Sequence, residues 1–233
     1  MLSPSSLALE LGCGISGLVA LLLAPRIARY VLTDQPYVAK LVEQNVAENH
    51  HHQPPSTSAK AARSSKTRTT TPAPNRGSPA PSRRDAGSAN VSRSSGNGGG
   101  GKIHFTTLDW ETDEVTSALT GSAEAAGFDI VVACDCIYNE ALVEPFVSTC
   151  VDLCRLRAAA GEGGTGEPAP PCVCVIGQQL RDPLVFEAWA TRFTRSFHTW
   201  RVPDALLVDG LRSAQGFVVH VGVLKSDINL EAI

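Results

Sequence analysis

The 233-residue sequence is short of the features that mark specialised classes of protein. Aromatic residues make up 6% of it and charged residues 18%, against 43% hydrophobic. That balance excludes a coiled coil, a collagen and a wholly disordered chain, and the length suits one domain or at most two. Cysteines number seven, too few and odd for a disulfide-stapled scaffold. They read as reduced thiols in an intracellular protein, expected in the cytoplasm. No two form C-x-x-C and no His stands at zinc-finger spacing, so no metal is expected. Cys134-x-Cys136 and Cys172-x-Cys174 have strand spacing and Cys150 and Cys154 share a helix face, which suits small buried hydrophobes. No internal repeat is visible.

A membrane segment is also missing. Residues 7–24 (LALELGCGISGLVALLLA) are apolar, but Glu10 and three glycines interrupt them and Pro25 ends them. No basic residue precedes the run, as a signal peptide requires, and it is too short to span a bilayer. A buried strand followed by a buried helix explains it.

Charge is unevenly spread. Residues 50–101 hold eight Lys/Arg and one acid, Asp85, for a net +7; the remainder holds twelve Lys/Arg and twenty-two acids, for a net −10. The acidic body argues against nucleic-acid binding as the core function. Residues 50–101 also contain Val91 as their one large aliphatic and no Phe, Trp, Tyr, Leu or Ile. Such a segment cannot bury enough apolar area to offset its ordering entropy. It is expected to be a disordered insert, separating domain halves at 1–49 and 102–233. His50-His51-His52 at its start reads as low complexity.

The remaining pattern alternates. Strands are expected at 7–11, 30–34, 102–110, 128–138 and 172–177, with two more at 198–202 and 216–225. Helices are expected at 16–24, with Ser16 as a candidate N-cap and Pro25 as the stop, and from Pro36 to 49, 140–157 and 183–197. FDIVVACDCIY (128–138) is nearly all apolar, as a central parallel strand covered on both faces should be. The order β-α-β-α-(insert)-β-β-α-β-α-β-β predicts a doubly wound, mostly parallel α/β sheet of Rossmann-like form with an antiparallel ending. Its crevice would lie at the strand C-termini.

Four constellations fall at those C-termini. Gly12-Cys13-Gly14-Ile15-Ser16-Gly17 is a G-x-G-x-x-G between strand and helix, suited to close approach of an anionic group. It fits a dinucleotide or the carboxylate of S-adenosylmethionine. Asp34 stands 22 residues after Gly12, where a carboxylate can accept from a ribose diol or cap the next helix. Leu108-Asp109-Trp110 offers a ring to stack on a purine and an acid to accept from its amino group. Asp135 and Tyr138 can hold a cationic amine by charge and cation–π attraction, or cap a helix and pack.

LELGCGISGL, LTD, LDW and ACDCIY, in that order, resemble the seven-β-strand S-adenosylmethionine-dependent methyltransferases. The D-x-x-Y form of the fourth motif is typical of lysine methyltransferase family 16. YVLTDQPYVAKLVEQN, CDCIYNEALVEPFV and GQQLRDP are most similar to the fungal ribosomal lysine N-methyltransferase 5 group. The resemblance covers 7–225 apart from the insert. It implies S-adenosyl-L-methionine as cofactor, contacted by Gly12, Cys13, Gly14, Asp34, Trp110 and Cys134, with Glu10 and Asp109 near it. Asp135 and Tyr138 become the catalytic, substrate-lysine side. The implied partner is a protein substrate, a large-subunit ribosomal protein, with a weak ribosomal RNA contact through the basic insert, no membrane, and a monomeric state. The family carries more structure before the glycine loop than the six residues preceding Leu7, so an N-terminal part is expected to be missing. Two readings stay open: a non-catalytic or truncated S-adenosylmethionine-binding protein, and an NAD-dependent dehydrogenase, whose fingerprint Gly12, Gly14, Gly17 and Asp34 satisfy literally.

Overall fold

Strands β1 (Leu7–Leu11), β2 (Arg29–Asp34), β3 (Ile103–Thr107), β4 (Ile130–Cys134), β5 (Val173–Gln179), β6 (Phe197–Arg201) and β7 (Phe217–Leu224) form one sheet in the order β3-β2-β1-β4-β5-β7-β6. The first five run parallel, and β7 pairs antiparallel with both β5 and β6. This is the doubly wound, mostly parallel sheet that the strand–helix alternation predicts. The computed structural model describes residues 2–49, 101–123, 125, 127–161 and 170–226. Except for Gly101, the segment expected as a disordered insert lies outside the described residues.

Among the described residues four α-helices cover the sheet: α1 (Leu18–Leu23), α2 (Ala39–Asn49), α3 (Val143–Gly161) and α4 (Pro183–Ser196). Side chains alternate across each strand, so β1 sends Leu9 and Leu11 to one face and Ala8 to the other. The first face meets α3 and α4 through Phe146, Val147, Trp189 and Phe193. The second meets the α1–α2 side through Ala20, Ile27 and Val42. Burying side chains of this size stabilises by roughly 1.5–3 kcal/mol each, which makes β1 and β4, covered on both faces, the rigid centre of the fold.

Local signals set the element ends. α4 starts at Asp182, whose side chain accepts from the N–H of Leu184 at 2.8 Å, with Pro183 in the first turn. α1 differs from expectation: its N-cap is Gly17 in a left-handed conformation (φ 60°), with no side-chain cap, so Ser16 is not the cap. A residue with a Cβ resists that conformation, and glycine adopts it freely. Pro36 opens a short 3-10 turn (Pro36–Val38) that feeds α2. β3 and β4 are shorter than expected, so Leu108-Asp109-Trp110 and Asp135–Tyr138 follow the strands rather than ending them. Asp109 causes the first break. Its carboxylate accepts from Glu111 N at 2.9 Å and its carbonyl from Asp113 N at 3.0 Å, which folds a turn.

The order β3-β2-β1-β4-β5 reverses direction between β1 and β4. Connections from those two strands leave on opposite faces, and the loops at their C-terminal ends part to form a crevice. No described helix is long and apolar enough to cross a membrane.

Candidate functional site

The crevice is a cleft of about 420 Å³ lined by Gly12, Cys13 and Gly14 after β1, Asp34 and Gln35 at β2, Leu108–Glu111 after β3, and Cys134–Cys136 with Tyr138 after β4. Of the ten residues expected at the site, nine line it: Gly12, Cys13, Gly14, Asp34, Asp109, Trp110, Cys134, Asp135 and Tyr138. The tenth, Glu10, lies beneath the glycine loop.

The loop is fixed from three sides. Cys13 N–H donates to Thr33 O at 3.0 Å. Gly14 N–H donates to Asp34 Oδ2 at 2.8 Å. Asn45 on α2 donates to Ile15 O at 2.7 Å. Gly12 has φ +63°, and a Cβ added there would lie 2.6 Å from the Cys136 Cβ and 3.3 Å from the Trp110 ring. A side chain at this position would have to displace the strand end behind it. Around Gly14 nothing lies within 4 Å of the added Cβ position, so the loop turns its bare backbone towards the cleft.

Asp34 also accepts from its neighbour Gln35 N at 2.7 Å. A carboxylate has about four lone-pair sites, so two remain for a ligand. Trp110 is half-buried and meets Phe146 edge-on, with ring centroids 5.3 Å apart. Its Nε1 is buried with no hydrogen-bond partner in the structure. Asp109 sits at the cleft rim, its carboxyl held below the usual range mainly by the Glu111 N–H, then by the Gln35 side chain.

Glu10 faces the α1–α2 side, 4% exposed. Its Oε2 accepts from the Tyr30 hydroxyl at 2.8 Å. Burial lifts its pKa from an ordinary 4.5 to about 7; the Tyr30 bond opposes this and the nearby Asp34 charge adds to it. Burial is likewise the first cause that raises the Cys13 thiol, to about 12, and Cys134, to about 11, with the Glu10 charge second in each case. These thiols stay protonated and are poor nucleophiles.

At the far end of the cleft, Asp135 is the one non-glycine described residue with a positive φ, 55°. Its N–H donates to Gly177 O at 2.8 Å, so the end of β5 holds it in a conformation that costs free energy elsewhere. Its Oδ1 accepts from Gln179 N at 3.1 Å, and its Oδ2 accepts from the Arg181 guanidinium. Arg181 in turn donates from Nε to Gln179 Oε1 at 2.8 Å. Tyr138 is 71% exposed. Asp135 and Tyr138 also line a second, smaller pocket together with Gln178, Arg181, Asp182 and Phe186. The pair therefore stands between two cavities. Gln178 is 5% exposed, and its Oε1 has no hydrogen-bond partner in the structure.

Arg181, Gln178 and Gln179 were not singled out as site residues by sequence reasoning. Their signal was their position: they end or follow the strand next to the one carrying Asp135, and strand adjacency is a property of the sheet. Among the described residues, no group of three or more His, Cys, Asp or Glu side chains is placed to hold a metal ion.

The fold is a seven-stranded, mostly parallel sheet with an acid-rimmed, glycine-floored cleft at its switch point, and solved methyltransferases share it. The N-methyltransferase NodS from Bradyrhizobium japonicum, solved with S-adenosyl-l-homocysteine, superposes with a TM-score of 0.50 at 14% identity, covering 95% of this chain and 79% of NodS. A methyltransferase from Pyrococcus furiosus superposes with a TM-score of 0.50 at 9% identity, over 96% of this chain and 77% of that one. At such identities the likeness is one of fold.

The sequence comparisons are narrower. The family model described as lysine methyltransferase matches residues 85–159. Ribosomal lysine N-methyltransferase 5 of Zygosaccharomyces rouxii is 28% identical over 206 residues, which cover 82% of this chain and 51% of that protein. The chain thus spans about half the length of this curated relative. The resemblance read from the four motifs is borne out.

Proposed function

We propose that this chain is an S-adenosylmethionine-dependent protein-lysine N-methyltransferase and that its substrate is a ribosomal protein. The observation that carries the reading is the shared wall: Asp135 and Tyr138 line both the large cleft floored by the glycine loop and the small pocket beside it. A cofactor in one and an amine entering through the other would meet across that wall.

The cleft suits this cofactor. Gly14 leaves room for close approach, Asp34 keeps free acceptor sites for a ribose diol, and the buried Trp110 Nε1 can donate to a purine nitrogen. Asp34, Asp109, Glu111 and Asp135 line the cleft, and among the described residues no Lys or Arg does, which favours a ligand carrying a sulfonium and an ammonium. When bound, S-adenosylmethionine supplies a methyl group that passes to nitrogen while the C–S electrons leave on sulfur. The chain's own residues position and desolvate. Asp135 draws the lysine ammonium in by charge, and Tyr138 offers its ring face to the cation. The nitrogen must shed a proton to solvent before it can attack, since a lysine ammonium has a pKa near 10.4 and no lone pair. Positioning of this kind contributes up to roughly 7–11 kcal/mol in favourable cases.

The ribosomal substrate rests on the relative from Z. rouxii, whose name carries that activity. The reading is tested by incubating the chain with labelled S-adenosylmethionine and extracted ribosomal proteins, then hydrolysing them to amino acids. Label in methyl-lysine supports it. Cofactor binding without label supports a non-catalytic binding protein, and NAD binding in place of S-adenosylmethionine overturns it.

A further inference from the structure

We infer that Arg181 is a charge-balancing residue of the lysine site: it holds the Asp135 carboxylate as an ion pair, so that a lysine ammonium drawn to the site gives up its proton more readily and reacts as an uncharged nucleophile. The inference rests on the lysine-methylation reading.

Three observations carry it. First, the pairing is built in. Arg181 reaches Asp135 Oδ2 while Gln179 N–H takes Oδ1, and Gln179 Oε1 fixes the guanidinium by its Nε at 2.8 Å. Second, among the described residues Arg181 is the single cation lining either cavity. In the small pocket it stands with Asp135, after β4, and Asp182, at the start of α4; Asp34, Asp109 and Glu111 line the large cleft on the other side of Asp135. The remaining titratable groups around Asp135 are the neutral thiols Cys134 and Cys136 and the Tyr138 phenol. Third, Gln178 beside Arg181 keeps a buried Oε1 without a partner, an acceptor for an amine N–H that needs no positive charge on the nitrogen.

An acid-rich site has a chemical drawback. Carboxylates near an amine favour its ammonium form, which attracts the substrate but has no lone pair. A fixed guanidinium beside the same carboxylate reverses that bias, because a neighbouring cation disfavours a second positive charge. Arg181 suits this role better than a lysine would, since its own charge does not titrate in the working range. Its side chain is 57% exposed, and that of Asp135 32%, so solvent screens the effect to a modest size.

The test compares the pH dependence of methyl transfer to extracted ribosomal proteins for the full chain, Arg181→Gln and Arg181→Lys, with S-adenosylhomocysteine affinity measured alongside. Removing the cation should raise the apparent pKa of the reacting amine by about one unit, so Arg181→Gln should be about tenfold slower at pH values well below the wild-type apparent pKa, with the gap closing as pH rises through the variant's own apparent pKa. Arg181→Lys should keep most of the wild-type profile, and cofactor affinity should be the same in all three. An equal loss at every pH would mean that Arg181 only shapes the loop, and an unchanged or faster rate would mean that it competes with the substrate; either overturns the inference. If the wild-type chain binds the cofactor but forms no methyl-lysine at any pH, the functional reading itself fails, and this inference falls with it.

Discussion

The Asp34 carboxylate accepts the backbone N–H of Gly14 at 2.8 Å. The acid at the end of β2 thus braces the glycine loop after β1 as well as facing the cleft. The feature that the sequence suits to an anionic group and the one that it suits to a ribose diol are bonded to each other in the fold.

That bond sharpens what Asp34→Ala should do. The substitution removes a charge-assisted acceptor for the cofactor and also frees the Gly14 and Gln35 amides. Loss of one charge-assisted hydrogen bond predicts a fall of ~1.5–3 kcal/mol in S-adenosylhomocysteine binding. Calorimetry on wild type and variant reads it directly, and unchanged affinity would show that Asp34 serves the loop alone.

Gly12→Ala should damage fold and binding together. The new methyl would meet Cys136 at 2.6 Å on a backbone with positive φ. Overpacking of this kind costs about 1–3 kcal/mol, in addition to the left-handed penalty of roughly 1–2 kcal/mol. Denaturant melts should show the loss. A variant that keeps wild-type stability and affinity would mean the loop has more room than its contacts indicate.

Glu10 predicts a pH signature in stability. Its carboxyl is raised from 4.5 to about 7 in the folded chain, so the fold prefers the protonated form. The stability this gives is fully present below about pH 4.5 and is lost as pH rises through about 7. Glu10→Gln keeps an acceptor for the Tyr30 hydroxyl and removes the titration. The variant should match wild type at the acidic end and exceed it by up to about 3 kcal/mol above pH 8, on a scale of 1.36 kcal/mol per pKa unit. Urea melts across that range decide it: a difference that does not change with pH contradicts the assignment.

Asp135→Asn and Tyr138→Ala should each slow methylation by ~10²-fold or more, if positioning by each is worth about 3 kcal/mol of the barrier. Cofactor affinity should stay close to wild type in both. Should both variants lose the cofactor instead, these residues belong to its wall, and the division between cofactor and lysine sides is wrong.

Nine of the ten expected residues line one cleft because they end or follow strands at their C-terminal ends, and those ends meet at the crevice in any doubly wound sheet. The expected strand–helix order matched the structure for the same reason: apolar runs of strand length and apolar residues at helical spacing seldom mimic one another over so many elements. The cap of α1 was misplaced because Ser16 has the right chemistry, while the turn needs the left-handed freedom that Gly17 has. Glu10, which the resemblance implies near the ligand, does not itself line the cleft, because strand alternation sends its side chain against Tyr30. GQQLRDP carries Arg181 into the resemblance, but its pairing with Asp135 is not legible there, because the two lie 46 residues apart and only the pairing of β4 with β5 brings them together.

The central claim is that this cleft transfers a methyl group to lysine, and identification of the modified residue tests it most directly. Extracted ribosomal proteins, incubated with labelled S-adenosylmethionine and the chain, should yield label in methyl-lysine after complete hydrolysis, with roughly 10- to 150-fold less when Asp34→Ala replaces wild type at limiting cofactor. Label recovered in another amino acid or in RNA, or no label although the cofactor binds, would contradict the account.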